Sequence, residues 1–600
     1  MILTPLDWIL IAAFFVLSLG IGLAVAKRAG RSANEYFLSG RTMPWWLLGV
    51  SMVATTFAID TPNLVTDIVR QNGVAGNWVW WAFLLTGMLT TFVYARLWRR
   101  SNVNTDLEFY ELRYSGRPAA FLRGFRAVYL GVFFNVMIMA NVCLAAIKLG
   151  GVVLGLSPGE TLLLASLVTV VYSSLGGLRG VIITDFIQFG IAMAGSIWAT
   201  IIVVNRPEIG GLSELLAHPA VSDKLNLLPD FNDPAMLVGV FIVPLAVQWW
   251  SVWYPGAEPG GGGYVAQRML SARDERHATG ATLFFNLAHY ALRPWPWILI
   301  ALASLVMYPN LDALQAAFPH LPATLVKHDL AYPAMLAFLP AGVLGLVIAS
   351  LVAAFMSTIS THLNWGASYV VNDVYRRFWR PDADERELVR VGRITTFILM
   401  ALAALVALAL DNALQAFNIL LSIGAGTGLI FILRWFWWRI SAATEIAGMV
   451  ISFLVAVFFE FGYSRLGFAP LAGHVQLVLS VATTTGLWLL ITLLTPPTDD
   501  TTLQAFYRMI RPTGPGWERT RRQLAASGET LPPIDSASSL PRSLLNFVIG
   551  TFAVYFVLFG FGFVVYGRWP IGLALLGLAT LGGIWLVRGL RSPVSRSEHG

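Results

Sequence analysis

Four hydroxyl side chains fall within five residues at Ser357, Thr358, Ser360 and Thr361, in the middle of an apolar stretch. Ala354, Ser357 and Thr358 are spaced i, i+3, i+4 and share one helical face, which Thr361 extends. Such hydroxyls, joined by backbone carbonyls, suit a small alkali cation: they offer hard oxygens without the fixed charge that would trap it. The bland alternative is hydroxyls bonded back to the preceding turn of their own helix. A second polar interruption, Asp60-Thr61-Pro62-Asn63, lies midway through an apolar run that begins at Trp45, with Thr56 one turn earlier. Pro62 lacks an N–H and disfavours helical geometry at Thr61. The run is therefore either a simple kink or a discontinuous helix whose freed groups face a ligand. Gln248 through Tyr254, with Trp253 among them, sets aromatic faces beside an amide and a hydroxyl. That mixture suits a sugar ring, or else an interfacial aromatic belt. Arg293 sits deep in another apolar run, one turn after His289. An arginine there has to face a cavity or a carboxylate, and Asp60 or an anionic solute would serve.

These residues do chemistry only if helices hold them inside a bilayer, and the composition requires that. The 600 residues are 56% hydrophobic and 12% charged, with a mean hydropathy of +0.68. Fifteen apolar spans occur between residues 6 and 588, each near the ~20 residues that cross a bilayer. The net charge of +7 invites a nucleic-acid reading, but its distribution removes it. With the N-terminus outside and the spans alternating, thirty-two of the 40 Lys and Arg fall on one side and six on the other. Lys148 and Arg293 lie within spans. The asymmetry is the positive-inside pattern of a multi-pass cell-membrane protein with a cytoplasmic C-terminus. Ala24-Val25-Ala26 imitates a cleavage site, yet Asp7 precedes the apolar run and the basic cluster follows it, so the first helix is retained.

Other classes drop out in turn. Cys143 is the one cysteine, which excludes a disulfide scaffold and cysteine-built zinc or iron–sulfur sites. The 496–543 segment is polar, proline-rich and basic. It reads as a cytoplasmic loop with one amphipathic helix, not as a catalytic unit. No GxxxxGK[ST] loop appears, and Gly260–Gly263 leads into Tyr264 and reads as a flexible helix end. An ATP-driven pump and a kinase output domain are disfavoured; a secondary transporter, a channel or an intramembrane enzyme remains, and the polar residues within the spans favour a carrier over an enzyme.

Five stretches then carry a resemblance. They are Tyr36-Phe37-Leu38-Ser39-Gly40-Arg41 with Pro44-Trp45-Trp46, Glu108 through Tyr114, and Gly176 through Val181 with Thr184-Asp185-Phe186-Ile187-Gln188. Tyr264-Val265-Ala266-Gln267-Arg268 and Ala354 through Asn364 complete the set. Together they span about residues 30–440, and the chain resembles the sodium/solute symporter family of sodium-coupled sugar, proline and sialic-acid carriers. The resemblance implies an all-α, leucine-transporter-type core of two inverted five-helix repeats, at 45–205 and 235–433. One helix precedes the core (1–30). Two accessory helices at 441–495, the 496–543 loop, and two C-terminal helices with a basic tail at 544–600 follow it.

It also implies a sodium site made of the Ala54 and Phe57 carbonyls, the Ala354 carbonyl, and the Ser357 and Thr358 hydroxyls. The positions of a second sodium site found in some members are Asp185, Ser357, Ser360 and Thr361. Solute contacts would come from Thr56, Asp60, Thr61, Gln248, Trp253 and Arg293. The function expected is sodium-coupled import of a small polar solute, sugar favoured, by alternating access. The partners expected are sodium, that solute and the lipid bilayer, with neither nucleic acid nor an obligate protein. A proton-coupled carrier using Asp60, Asp185 and His289, a carrier of an organic acid or amino acid, and a sensor or channel on the same core are the alternatives.

Overall fold

A segment that crosses hydrocarbon has to satisfy its own backbone, and every regular element here is helical among the described residues. The computed structural model describes residues 3–410, 421–529, 531 and 539–591. Among these, eleven helices are long and apolar enough to cross a membrane. Three shorter apolar helices, Trp45–Thr56, Pro158–Val171 and Ala442–Val457, fall where the sequence reads further spans. The 412–433 span lies partly outside the described residues. The chain forms two compact units, Met1–Val79 with Ala127–Val240 and Leu292–Asn418, and Trp80–Arg126 with Phe241–Ala291 and Ile419–Gly600.

The first unit is built around the helix Val343–Tyr369. It packs against Pro158–Val204, Pro5–Ala29, Trp45–Thr56, Asn135–Leu149 and Glu385–Ala407. Nearly all its side chains are buried, hydroxyls included, as expected of a helix enclosed on every side. The outer helices keep an apolar face open, with Leu163, Leu167, Phe397 and Leu405 well exposed; those faces meet lipid. The start of the central helix is capped across the chain. Asp7 Oδ1 accepts from the Gly342 and Gly345 N–H groups at 2.7 Å each. That contact needs glycine at 345, since a Cβ there would lie 2.4 Å from the Asp7 Cα. Asp7, a topology signal in the sequence, is thus also a helix cap.

Pro158–Val204 is two helices meeting at Gly177, whose φ of 53° and ψ of −166° only glycine adopts readily. A Cβ at that point would stand 2.8 Å from the Tyr36 carbonyl oxygen, and the Tyr36 hydroxyl donates to Ser174 O at 3.1 Å. The break sets the second half of the helix, with Asp185 on it, on its own course.

In the second unit the 496–543 segment holds two helices, Asp500–Ile510 and Glu518–Ala526, where the sequence suggested one. Residues 530 and 532–538 lie outside the described residues. The two helices are fastened by aromatic contacts: Phe506 stacks on Trp517 at 5.4 Å. Trp517 Nε1 donates to Trp435 O at 2.8 Å, and the Arg113 guanidinium lies 5.0 Å from the Trp517 ring. Gly260–Gly263 is buried, so it is no frayed helix end.

Gly177→Ala should destabilise the purified protein by about 1–3 kcal/mol, read as a lower melting temperature in detergent. Gly190→Ala, where a Cβ meets nothing within 4 Å, should leave it unchanged and serves as the control.

Candidate ion and solute site

The Trp45–Thr56 helix ends before Phe57, whose φ of −90° and ψ of 69° leave helical space, and a new helix runs Asp60–Asn72. The interruption is therefore a discontinuous helix, not a kink. Phe57 N–H closes the first half onto Val53 O at 2.8 Å and Ala54 O at 3.1 Å. Phe57 and Trp297 stack at 4.9 Å with rings 5° from parallel, which holds the break against Pro294–Met307.

Asp185 lies within its helix, fully buried. It is neither a helix cap nor the partner of Arg179, which sits 4.0 Å from Glu35. Hydroxyls from two helices meet its carboxylate: Ser51 Oγ donates to Oδ2 at 2.5 Å and Ser357 Oγ donates to Oδ1 at 2.7 Å. One turn on, the Thr358 hydroxyl donates to Thr55 O at 2.8 Å, and the Thr55 and Thr361 hydroxyls stand 3.0 Å apart. Ser360 bonds back to Ser357 O at 3.1 Å, the local reading of that hydroxyl. The broken helix, the Asp185 helix and the central helix are thus joined by oxygen-to-oxygen contacts, and Trp46 against Phe186 at 5.4 Å adds an aromatic one. Ala54 and Phe57, expected to provide carbonyls, flank this seam, with Ala54 O engaged in its own turn. Ala354 is buried on the central helix one turn before Ser357. The residues that sequence reasoning missed are Ser51 and Thr55. Their i, i+4 spacing on the first core helix is a signal that was available.

Around the break, Thr56, Asp60 and Thr61 are half-buried and border open space. Thr61 Oγ1 donates to Thr56 O at 3.3 Å. Asp60 Oδ2 accepts from Asn141 Nδ2 at 2.8 Å, while Asp60 Oδ1 and Asn141 Oδ1 are buried without a donor at hydrogen-bond geometry, the Asp60 and Thr61 amides lying close to the carboxylate without completing a bond to Oδ1. Asn141 was missed, and no local pattern announces it, because it lies 81 residues from Asp60 in the chain. Arg293 is buried. It donates to the Thr56 hydroxyl at 3.1 Å and to Val53 O at 3.4 Å, and lies 5.3 Å from the Trp297 ring. Its shown contacts are thus with the first half of the broken helix rather than the Asp60 carboxylate. Of the remaining expected solute residues, Gln248 and Trp253 belong to the second unit. Both are buried, and Trp253 N–H donates to Gly424 O at 3.1 Å. His289 also belongs to that unit, ringed by Trp80, Phe285 and Tyr290.

The arrangement offers a carboxylate and hydroxyls for a small cation, and beside them acceptors for a hydrogen-bonding solute. Known proteins share the chain's pattern. The profile of the Sodium:solute symporter family matches residues 36–452. The sodium/glucose cotransporter of Vibrio parahaemolyticus is 27% identical over 483 residues, covering 76% of this chain and 86% of the relative. The sodium/sialic acid symporter of Proteus mirabilis is 24% identical, covering 76% and 90%. A solved structure of a Na+-coupled sialic acid symporter, in its substrate-bound outward-open state, superposes with a TM-score of 0.65 at 20% identity. It covers 83% of this chain and 99% of its own; this likeness speaks for the fold. The family and these relatives are membrane carriers and not enzymes. On the match across most of its length, the chain belongs to the sodium:solute symporter family.

Proposed function

We propose that this sodium-coupled carrier imports a small polyhydroxylated solute, a sugar or sugar derivative, and couples it to two sodium ions. The observation that carries the solute class is the pair of buried acceptors, Asp60 Oδ1 and Asn141 Oδ1, left without donors at the broken helix. A solute rich in O–H donors satisfies both; a carboxylate in the same place would add acceptors to acceptors. Thr56, Thr61 and Arg293 border the same break. The curated relatives named for glucose and sialic acid support the same class. The core is read as two inverted repeats at 45–205 and 235–433 within fifteen spans, with the N-terminus outside and the C-terminus in the cytoplasm.

For the ions, Asp185 with Ser357, Ser360 and Thr361 supplies one set of hard oxygens. Ala54, Phe57, Ala354, Ser357 and Thr358 supply the other. Sodium at Asp185 would turn the Ser51 and Ser357 hydroxyls from donating to the carboxylate to presenting their oxygens to the ion. Because those hydroxyls come from two helices, occupancy favours one arrangement of the pair. Linkage then raises solute affinity by the factor by which solute raises that of sodium. Each inward charge contributes about 2.3 kcal/mol at 100 mV, so the second ion multiplies potential-driven accumulation by roughly fifty.

Uptake into vesicles should depend on sodium with a Hill coefficient near two that falls to near one in Asp185→Asn. Ser357→Ala should weaken sodium activation while leaving the protein monodisperse. Unchanged sodium activation in both variants rejects the ion assignment, and equal uptake driven by a proton gradient alone rejects sodium coupling.

Across a panel of sugars, amino acids and organic acids, Asp60→Asn and Asn141→Ala should raise the half-saturating sugar concentration about tenfold or more. That is the loss expected for one hydrogen bond to a charged or buried partner, about 1.5–3 kcal/mol. Transport confined to organic acids, untouched by either change, overturns the solute class.

A further inference from the structure

The second unit contains a buried carboxylate that the transport site leaves out. Glu258 is 3% exposed. Neither carboxylate oxygen has a donor at hydrogen-bond geometry, the backbone amides of Gly256 and of Glu258 itself lying close without completing a bond. It belongs to the stretch between the helices Trp249–Ser251 and Gly263–Ser271. There Gly256, Gly260 and Gly261 take φ values of 81°, 78° and 74°, which folds the backbone tightly around the side chain. A small cavity opens beside it, lined by Glu258, Thr86, Thr90, Gly256, Gly261 and Asn286. It has room for about one water-sized occupant.

The other polar groups reach this cavity with the same polarity. Asn286 Nδ2 donates to Thr282 O at 2.8 Å, which fixes the amide's orientation. Its Oδ1 is left buried and without a donor. Gly87 makes the space for that oxygen, since a Cβ at 87 would stand 1.7 Å from it. The Thr86 hydroxyl gives its proton to Trp249 O at 2.5 Å, so its oxygen has only lone pairs left to offer. The Glu258 carboxylate, Asn286 Oδ1 and the Thr86 oxygen meet at the cavity as acceptors, and the Thr90 hydroxyl can turn its oxygen to the same point. A buried carboxylate in that condition is costly by several kcal/mol until a positive species joins it.

Charge selects the species. Asp106 and Arg126 are the charged side chains that act on Glu258. They act on it in opposite directions, and Asp106 Oδ2 already accepts from Gly263 N–H at 2.9 Å. One uncompensated negative charge, surrounded by neutral amide and hydroxyl oxygens, matches a monovalent cation. A divalent ion would want further carboxylates. A proton needs a single acceptor and leaves the convergence of the others without a reason. We propose that Glu258, Asn286 Oδ1 and the Thr86 and Thr90 hydroxyls form a site for a dehydrated, sodium-sized monovalent cation, in addition to the oxygens gathered at Asp185.

The test is the number of 22Na+ ions bound per chain by the full-length protein purified in detergent, at saturating sodium. Glu258→Gln should bind one ion fewer than the wild type. Asp185→Asn should lose its own ion whether or not Glu258 is changed, so failure at one site is separable from failure at the other. Asn286→Ala and Thr90→Val keep the carboxylate and should weaken the affected ion about tenfold; they serve if Glu258→Gln is not monodisperse. Equal sodium stoichiometry in the wild type and all three variants overturns the proposal. So does a variant that loses only bound 86Rb+, or only a proton released on raising the pH in sodium-free buffer.

Discussion

A carboxylate inside a helical bundle has to be met by donors or by a cation, and most of the first unit is arranged around meeting one. Asp185 receives hydroxyls from Ser51 and Ser357, on helices far apart in the chain. Neither hydroxyl carries charge, and together they meet both carboxylate oxygens. Removing either helix would leave it half-met in a medium that cannot supply water. The burial of the central helix, the cap that Asp7 places on its start, and the turn at Gly177 that directs the Asp185 helix all serve that meeting.

The same unit uses chain breaks to expose what a continuous helix would hide. Phe57 through Ile59 interrupts one helix, so Asp60 arrives in the first turn of the next instead of in a hydrogen-bonded interior. Arg293, at the start of Pro294–Met307, fastens to the half that precedes the break through Thr56 and Val53. An arginine there adds positive charge near Asp60 without neutralising it by direct contact. It also ties the position of Pro294–Met307 to the conformation of the break. Stacking of Phe57 on Trp297 reinforces the same tie.

The second unit solves a different problem with the same atoms. Buried guanidiniums there are held by carbonyls, aromatic faces and carboxylates: Arg123 pairs with Glu111 at 2.7 Å, and Arg434 lies 3.5 Å from Glu445, which also accepts from the Tyr114 hydroxyl at 2.6 Å. Arg113 donates to Arg434 O and Trp437 O. These groups anchor the Asp500–Ala526 segment through Phe506 and Trp517, so a stretch whose composition reads as loop is fixed by its few aromatic residues. Glu258 stands apart from that network as a buried acid with no side-chain donor among the described residues.

The composition, the charge asymmetry and the hydroxyl run at 357–361 are properties of neighbouring residues, and the sequence by itself determined what depends on them. It determined that the chain is a multi-pass helical membrane protein, that one helix carries an oxygen-rich face, and that helical continuity fails near Pro62. Matching motifs extended this to the family. It did not determine which oxygens face one another. Ser51 and Thr55 look like ordinary helix hydroxyls until the central helix is laid beside them. Asn141 is one polar residue in an apolar run until it meets Asp60. Thr55 O receives the Thr358 hydroxyl, a contact no local pattern announces. Glu258 lay beside a glycine run read as a frayed end, and only the folded chain turns that run into a buried cradle. The reason is physical: periodicity reports the direction a side chain takes from its own helix, whereas satisfying a buried polar group depends on what another helix brings to it.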